Sequence, residues 1–171
     1  MPTTYEKCGD EVERVVSQVV KKYHHDLKAA GVTIGLLFAR NSEGAAVKLH
    51  GYPCAAVIKK NSLKDRAEGK TDATITIDEA GWDGLSEEER SALIDHELYH
   101  LEVKRDKHNK YDLDDLGRPK LNIRLHDAQI GIFKTIIERH GMDALDAQIA
   151  EKFIGEYGQL LLWAKEPETV G

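Results

Sequence analysis

A five-residue segment, His96-Glu97-Leu98-Tyr99-His100, constrains this chain more than any other feature, because it has the pattern H-E-x-x-H. On a helix, two histidines four residues apart lie on one face, where both can bind the same divalent metal ion. Glu97 lies beside that face, where its carboxylate can accept a proton from water bound to the metal. The pattern therefore predicts a metal centre that requires a stable helix, a third ligand and a cleft.

The residues around this segment predict that it belongs to a capped and partly buried helix. Ser86 and Glu89 have the spacing of a capping box, in which each side chain satisfies a backbone N–H at the start of a helix. Apolar side chains then recur at helical spacing at Leu93, Ile94, Leu98 and Leu101. The two histidines are therefore expected on a helix anchored in the core and not on a loop.

The rest of the chain predicts an α+β fold. Hydrophobic periodicity and turn residues predict these elements: helix 10–30, strands 32–39, 45–49, 55–59 and 73–78, polar connections 61–70 and 104–120, and helices 125–140 and 143–165. A small sheet of three or four strands packed against an N-terminal helix, the metal helix and two C-terminal helices is an α+β arrangement. No linker divides the sequence, so residues 1–171 are predicted to form one domain, with a core at about 10–140.

The strand over residues 73–78 has a further expected role. It alternates strictly, with Ala73, Ile75 and Ile77 on one side, which is typical of a half-buried strand. It also leads directly into the metal helix. We therefore expect it at the edge of the cleft, where an extended peptide can pair with it by strand addition.

The composition and charge of the chain indicate which partners and which location to expect. The net charge of −6 over 171 residues argues against nucleic acid as a partner, since proteins that bind phosphate backbones are usually basic. Cys8 and Cys54 are the two cysteines of the sequence, and they form neither a C-x-x-C motif nor a disulfide framework. The sequence shows no secretion signal and no apolar run long enough to cross a membrane, so a cytoplasmic location in the host cell is expected.

Whether this segment belongs to a catalytic zinc site depends on a third metal ligand, because a catalytic zinc ion takes three protein ligands and leaves one position for water. His126 is the best candidate, since it begins the next predicted helix, which must pack near the metal helix in a chain of this size. Asp127 follows it and is expected either to cap that helix or to orient an imidazole ligand.

Four other residues remain open as third ligands: Asp106, His108, Glu138 and His140. Asp106 occupies the position of the last ligand in the metzincin pattern H-E-x-x-H-x-x-G-x-x-H, but that pattern requires a glycine where this chain has Val103. Glu138 and His140 lie on the next predicted helix, and His108 lies in a polar connection.

Several polar residues are expected to have ordinary structural roles. Cys54 is expected to be a small buried residue, because its surroundings lack the Glu-Gly-Cys-Leu-type context of the deformylases, which also carry H-E-x-x-H. His24 and His25 are expected on the exposed side of the first helix, and Asp95 on the surface of the metal helix. Trp82 is expected to pack beneath that helix.

Five segments together resemble one known family: they are residues 78–82, 85–90, 92–100, 117–119 and 125–127. The resemblance is to the phage metallopeptidases, small zincin-like proteins of phages and prophages that are distantly similar to the SprT-like proteases. It covers roughly residues 30–140 and does not inform the last helix. It implies a zincin-like fold, zinc bound by His96, His100 and His126, and Glu97 as the catalytic base.

The sequence therefore predicts a zinc-dependent metallopeptidase that acts on a peptide or protein substrate. Zinc lowers the pKa of its water and polarises the scissile carbonyl, and Glu97 accepts the water proton and passes it to the leaving amine. Two alternatives stay open. One is a zincin-like module that binds a protein without cleaving it, and a weaker one is a deformylase-like hydrolase of small amides.

Overall fold

A computed structural model describes residues 2–126 and 132–154 of the chain. The elements in order are β1 (Thr4–Lys7), α1 (Asp10–Tyr23), α2 (His25–Ala29), β2 (Ile34–Arg40), β3 (Lys48–Leu49), β4 (Tyr52–Pro53), β5 (Ala56–Lys60), α3 (Leu63–Ala67), β6 (Ala73–Asp78), α4 (Glu79–Asp83), α5 (Glu87–Tyr99), β7 (Leu101–Val103), β8 (Leu121–Ile123), α6 (Lys134–His140), a 3₁₀ turn (Gly141–Asp143) and α7 (Leu145–Ile154). Among the helices in these two ranges, none is long and apolar enough to span a bilayer.

Four strands form one mixed sheet in the order β1–β2–β6–β5. β2 and β6 are parallel, with Leu36 opposite Ile75, while β1 and β5 pair antiparallel on the two outer sides. The strand expected at the cleft edge, β6, is therefore an inner strand, and β5 forms the edge beside it. Alternation could not predict this, because it reports which face a strand buries and not which strands lie beside it.

One face of this sheet packs against α1 and α5 and forms the main core. β6 buries Ala73, Ile75 and Ile77 on that face, as their alternation predicted. α1 and α5 each present a buried apolar stripe to the same core, made of Val12, Val16, Val19, Leu93, Ile94 and Leu98. Trp82 is also buried in this core, as expected. The predicted α+β class is therefore confirmed.

A second apolar cluster covers another side of α5. Ala92 of α5 packs there with residues of α6 and α7 and of the segments just before these helices: Ile132, Phe133, Ile136, Ile137, Ala144, Ala147 and Ala150. The two C-terminal helices thus pack chiefly on α5 and not on the sheet. Because α5 is covered on two sides, three consecutive polar residues near its end, Asp95, His96 and Glu97, are buried.

The start of α5 agrees with the sequence prediction, whereas three other elements differ from theirs. The capping box of Ser86 and Glu89 is present, and α5 begins directly after it. The predicted helix 10–30 is divided at His24, whose backbone leaves the helical region. Helix α3 was predicted as a connection, although Ser62 and Asp65 form a capping box that was available in the sequence. Strand β1 was not predicted at all.

The polar segment 104–120 is not an open connection but the body of a hairpin between β7 and β8. Two similar turns build it, in which the side chains of Asp106 and Asp114 accept backbone N–H groups of the residues that follow. Asn109 and Gly117 lie in the left-handed region, with φ of 61° and 73°. Asparagine and glycine adopt this conformation at low cost, so the turns suit their sequences.

The predicted C-terminal helices are shorter in the structure or extend beyond its description. The helix expected over 125–140 is observed as α6, which begins at Lys134. Asp127 and Ile130 lie outside the described residues. The helix expected over 143–165 begins as α7 at Leu145, and its part after Ile154 also lies outside them.

Arg118 joins the β7–β8 hairpin to the sheet through Asp72, a buried residue just before β6. Arg118 donates to both carboxylate oxygens of Asp72, and the backbone and hydroxyl of Thr33 donate as well. Burial alone would raise the pKa of the Asp72 carboxyl, but the hydrogen bonds from Arg118 and Thr33 hold it below its ordinary value. This contact fixes the hairpin whose second strand leads to His126.

We expect Asp72→Asn to lower the free energy of unfolding by about 1.5–3 kcal/mol at neutral pH, the range for hydrogen bonds to charged groups. The pKa of Asp72 is lower in the folded chain than in the unfolded chain. Its contribution is therefore fully present above the unfolded value of about 3.9 and is lost as the pH falls through the folded value. Urea unfolding at a series of decreasing pH values should show that the difference in free energy of unfolding between the wild type and Asp72→Asn becomes smaller.

Asp115→Asn is the control, because it removes an exposed carboxylate from the same hairpin. It should leave the stability of the protein unchanged at neutral pH. A pH-independent difference between the Asp72→Asn variant and the wild type would contradict the assigned ionic contact.

Candidate metal and catalytic centre

The imidazoles of His96, His100 and His126 lie together at the C-terminal end of α5. His96 is in the last turn of the helix, and His100 is the first residue after it, with backbone angles that are still helical. His126 comes from the segment that follows β8. One ring nitrogen from each of the three residues lies within 4.8 Å of the others, and the Nε2 atoms of His96 and His126 are 3.1 Å apart.

This donor set fits a divalent metal ion. In a tetrahedral zinc site, Zn–N bonds of about 2.0–2.1 Å place ligand nitrogens about 3.3 Å apart, close to the observed separation of His96 and His126. Three imidazoles with no carboxylate among them suit zinc and related transition ions better than magnesium or calcium. Three protein donors would fill three of four tetrahedral positions and leave one for water, as in catalytic zinc sites.

A buried carboxylate orients His96. Its Nδ1 donates a hydrogen bond to Oδ1 of Asp146 over 2.7 Å, which leaves Nε2 directed at the other two histidines. Burial lowers the pKa of His96, but the hydrogen bond and the charge of Asp146 outweigh it, so the pKa lies above its ordinary value. Carboxylates that contact a ligand imidazole in this way fix its tautomer and increase its basicity.

A backbone carbonyl orients His100. Its Nδ1 donates to the carbonyl oxygen of Arg124 over 2.7 Å, so Nε2 is again the nitrogen left for a ligand. The pKa of His100 is lowered to about 4, chiefly by burial; the hydrogen bond to the Arg124 carbonyl raises it, and the charges of His96 and His126 lower it. The imidazole is therefore neutral near pH 7, which is the form that binds metals.

Glu97 is enclosed between α5 and the edge strand β5, with 4% of its surface exposed. Burial raises the pKa of Glu97 above its ordinary value, while the charge of His96 and a hydrogen bond from the backbone N–H of Ile58 act in the opposite direction. A carboxylate next to a potential metal ligand, with a raised pKa, is suited to accept and return a proton near neutral pH.

The ring of Phe133 supports all three histidines from one side. Its centroid is 5.0, 4.8 and 4.9 Å from those of His96, His100 and His126, and it is fully buried. Phe133 lies at the start of α6, so the C-terminal helices contribute directly to this site. An apolar wall of this kind limits the motion of the imidazoles and excludes water from one side.

The other candidate ligands lie elsewhere in the described residues. Asp106 and His108 belong to the first turn of the hairpin, where the Asp106 carboxylate accepts the backbone N–H of His108. Glu138 is paired with Lys134 along α6, at 3.8 Å. His140 donates to Asp95 on another side of α5. Of the five candidate third ligands, the structure brings His126 next to His96 and His100.

Two expectations about neighbouring residues need correction. Asp95 and His24, expected at the surface, are both buried, and His24 Nε2 donates to Asp95 over 2.7 Å. Arg139 and His140 of α6 donate to the same carboxylate, at 2.8 Å each. These partners lie far from Asp95 in the sequence, so helical periodicity alone could not predict the burial of an aspartate.

Cys54 lies near Glu97 but is not part of the histidine cluster formed by the described residues. Burial, followed by the charges of Glu97 and Asp78, raises the pKa of its thiol to about 11. The thiol is therefore protonated at neutral pH in the absence of a metal ion. This agrees with the sequence interpretation that set the deformylase arrangement aside, although the residue is half-buried rather than fully buried.

Sequence reasoning did not identify Asp146 as the residue that orients His96. It also did not identify Phe133 as the ring that packs against the three histidines. Asp146 was hidden because an acidic residue in the first turn of a helix is ordinary. Phe133 was recognised only as one of several apolar residues at helical spacing. Neither residue carries a local signal that distinguishes a contact with a metal ligand from a structural role.

Comparison with curated proteins and with solved structures finds no match to this chain. A family model described as putative phage metallopeptidase matches residues 3–157. The match includes the sheet, α5, the three clustered histidines and Asp146. A metallopeptidase requires a metal ion, and the cluster at the end of α5 is a group of side chains able to hold one. The chain therefore belongs to the putative phage metallopeptidase family.

Proposed function

We propose that this protein is a zinc-dependent peptidase with a single zincin-like domain, in which His96, His100 and His126 bind the metal and Glu97 is the catalytic base. The observation that carries the proposal is the position of Glu97. Its buried carboxylate follows directly after His96 and is affected by the charge of that residue. His96 is one of three clustered imidazoles, two of which have their Nδ1 atoms already hydrogen-bonded. Membership of a metallopeptidase family supports the same reaction class.

The residues of the chain have distinct roles in this reaction. Zinc, when bound, supplies a Lewis acid that polarises the scissile carbonyl and makes water a stronger nucleophile at neutral pH. Glu97 accepts the proton of the attacking water and returns it to the leaving amine. The N–H of Ile58 holds the Glu97 carboxylate in place during both transfers.

Strand β5 is the edge strand at which an extended substrate can pair. The strand-addition hypothesis therefore applies to β5 and not to the inner strand β6. Ala55 and Asn61 bond to the β6 side, so the alternating residues Val57 and Lys59 also face β6. The backbone groups of Ala56 and Ile58 therefore point away from β6, and because the N–H of Ile58 already donates to Glu97, an added peptide would pair at Ala56 and not with that N–H. An extended peptide paired with this edge would place its backbone beside Glu97.

We expect Glu97→Gln to reduce peptide hydrolysis by about 10²–10⁴-fold, because the amide cannot accept the water proton. Zinc content should remain near that of the wild type, since Glu97 is not assigned as a ligand. Glu88→Gln, on the exposed face at the start of α5, is the matched control and should retain full activity. The measurement is incubation of each zinc-loaded protein with a proteome, followed by sequencing of new peptide termini.

This comparison also separates cleavage from binding. If the zinc-loaded wild type produces no more new termini than Glu97→Gln, then the protein is not a peptidase under these conditions, and the binding-module alternative replaces the proposal. Hydrolysis of a formyl-peptide alone, without new termini in the proteome, would support the deformylase-like alternative.

We expect His126→Ala to lose about one equivalent of zinc per chain, because two imidazoles hold the ion far less tightly than three. Elemental analysis after removal of free metal measures the stoichiometry, and circular dichroism shows whether the variant remains folded. His108→Ala, in an exposed hairpin turn, is the control and should keep its zinc. Full zinc occupancy in a folded His126→Ala variant would show that another residue is the third ligand.

A further inference from the structure

Helix α7 reaches the histidine cluster through the carboxylate of Asp146. Its Oδ1 accepts a hydrogen bond from His96 Nδ1 over 2.7 Å, and its Oδ2 accepts one from the backbone N–H of Phe133 over 2.6 Å. Asp146 is only 2% exposed, so both oxygens depend on these partners for their hydrogen bonds. A single carboxylate therefore joins α5, the start of α6 and the first turn of α7.

Among the described side chains of α7, the fully or almost fully buried apolar ones are alanines, while Leu145 and Ile149 are partly buried. Ala147 and Ala150 are fully or almost fully buried against α5 and α6, and Ala144 lies just before the helix. Because the free energy of burial increases with the apolar area removed from water, alanines contribute less than larger side chains would. Gln148 adds a hydrogen bond to Glu89 over 3.0 Å. The contact between Asp146 and His96 therefore adds a buried polar link to the apolar docking of α7.

We propose that Asp146 couples metal binding at the histidine cluster to the docking of α7 on α5. The inference rests on the proposed function in taking His96 as a metal ligand. Asp146 acts through His96 and does not touch the substrate, so it is a positioning residue. It holds the imidazole in the tautomer whose Nε2 faces His126, and through Phe133 it also holds the ring that backs all three histidines.

The coupling must act in both directions. If docking of α7 raises the affinity of the cluster for a metal ion by some factor, then a bound ion stabilises docked α7 by the same factor. Replacing a carboxylate that orients a ligand imidazole typically costs about 10–100-fold in metal affinity. The same range is therefore expected for the effect of the ion on the local opening of α7.

The first test measures zinc affinity by competition with a chelating dye. Asp146→Asn keeps the shape of the side chain but removes its charge, and we expect it to weaken zinc binding by about 10–100-fold. Asp143→Asn is the matched control, since it removes an exposed carboxylate three residues away in the same segment, and it should bind zinc as the wild type does. Wild-type affinity in folded Asp146→Asn would overturn the inference.

The second test uses the wild type, so that it does not depend on the folding of a variant. Zinc should slow amide hydrogen exchange in residues 145–154 by about 10–100-fold, with a much smaller effect in the remote helix α3. In Asp146→Asn the zinc-dependent slowing in α7 should largely disappear. Equal slowing in α3 and α7, or none in α7 at saturating zinc, would overturn the inference.

These outcomes are distinct from a failure of the proposed function. A wild type that binds zinc and protects α7 but cleaves no peptide would sustain the coupling and remove the peptidase assignment. Peptide cleavage by the wild type, together with unchanged zinc affinity in Asp146→Asn, would support the peptidase assignment and overturn the coupling.

Discussion

Burial of the end of α5 on two sides is the constraint on which the rest of this structure depends. The sheet and α1 cover one side, and α6 and α7 cover another. Apolar residues on both sides stabilise the arrangement, but it also removes Asp95, His96 and Glu97 from water. A buried polar group left without a hydrogen bond costs about 1–3 kcal/mol, so each of these side chains requires a partner.

The partners come from three different parts of the chain, and together they determine the geometry of the candidate site. Asp95 accepts from His24 and from two residues of α6. His96 donates to Asp146 of α7, and Glu97 accepts from the backbone of β5. Satisfying these three residues therefore positions α1, the C-terminal helices and the edge strand around a single helix end. The hydrogen bonds that offset the cost of burying these side chains also orient the imidazole of His96 and the carboxylate of Glu97.

Local features of this architecture could be predicted from the sequence with good accuracy. The capping box at Ser86 places the start of α5, and the spacing of His96 and His100 places both near its end. Position in the sheet could not be predicted in this way, as β6 shows, since the same alternation suits an inner or an edge strand. His126 was reached by an argument about packing in a short chain, and the structure does bring its ring next to the other two.

The sequence by itself determined the helix that carries H-E-x-x-H, the alternating strand before it and the residue types available for a metal, because each depends on residues a few positions apart. Only the tertiary structure decided that β5 is the edge strand beside Glu97, that Asp95 is buried and that Asp146 orients His96. His96 and Asp146 are 50 residues apart, and His24 and Asp95 are 71 apart. Contacts over such separations follow from how whole elements pack, which no local periodicity encodes.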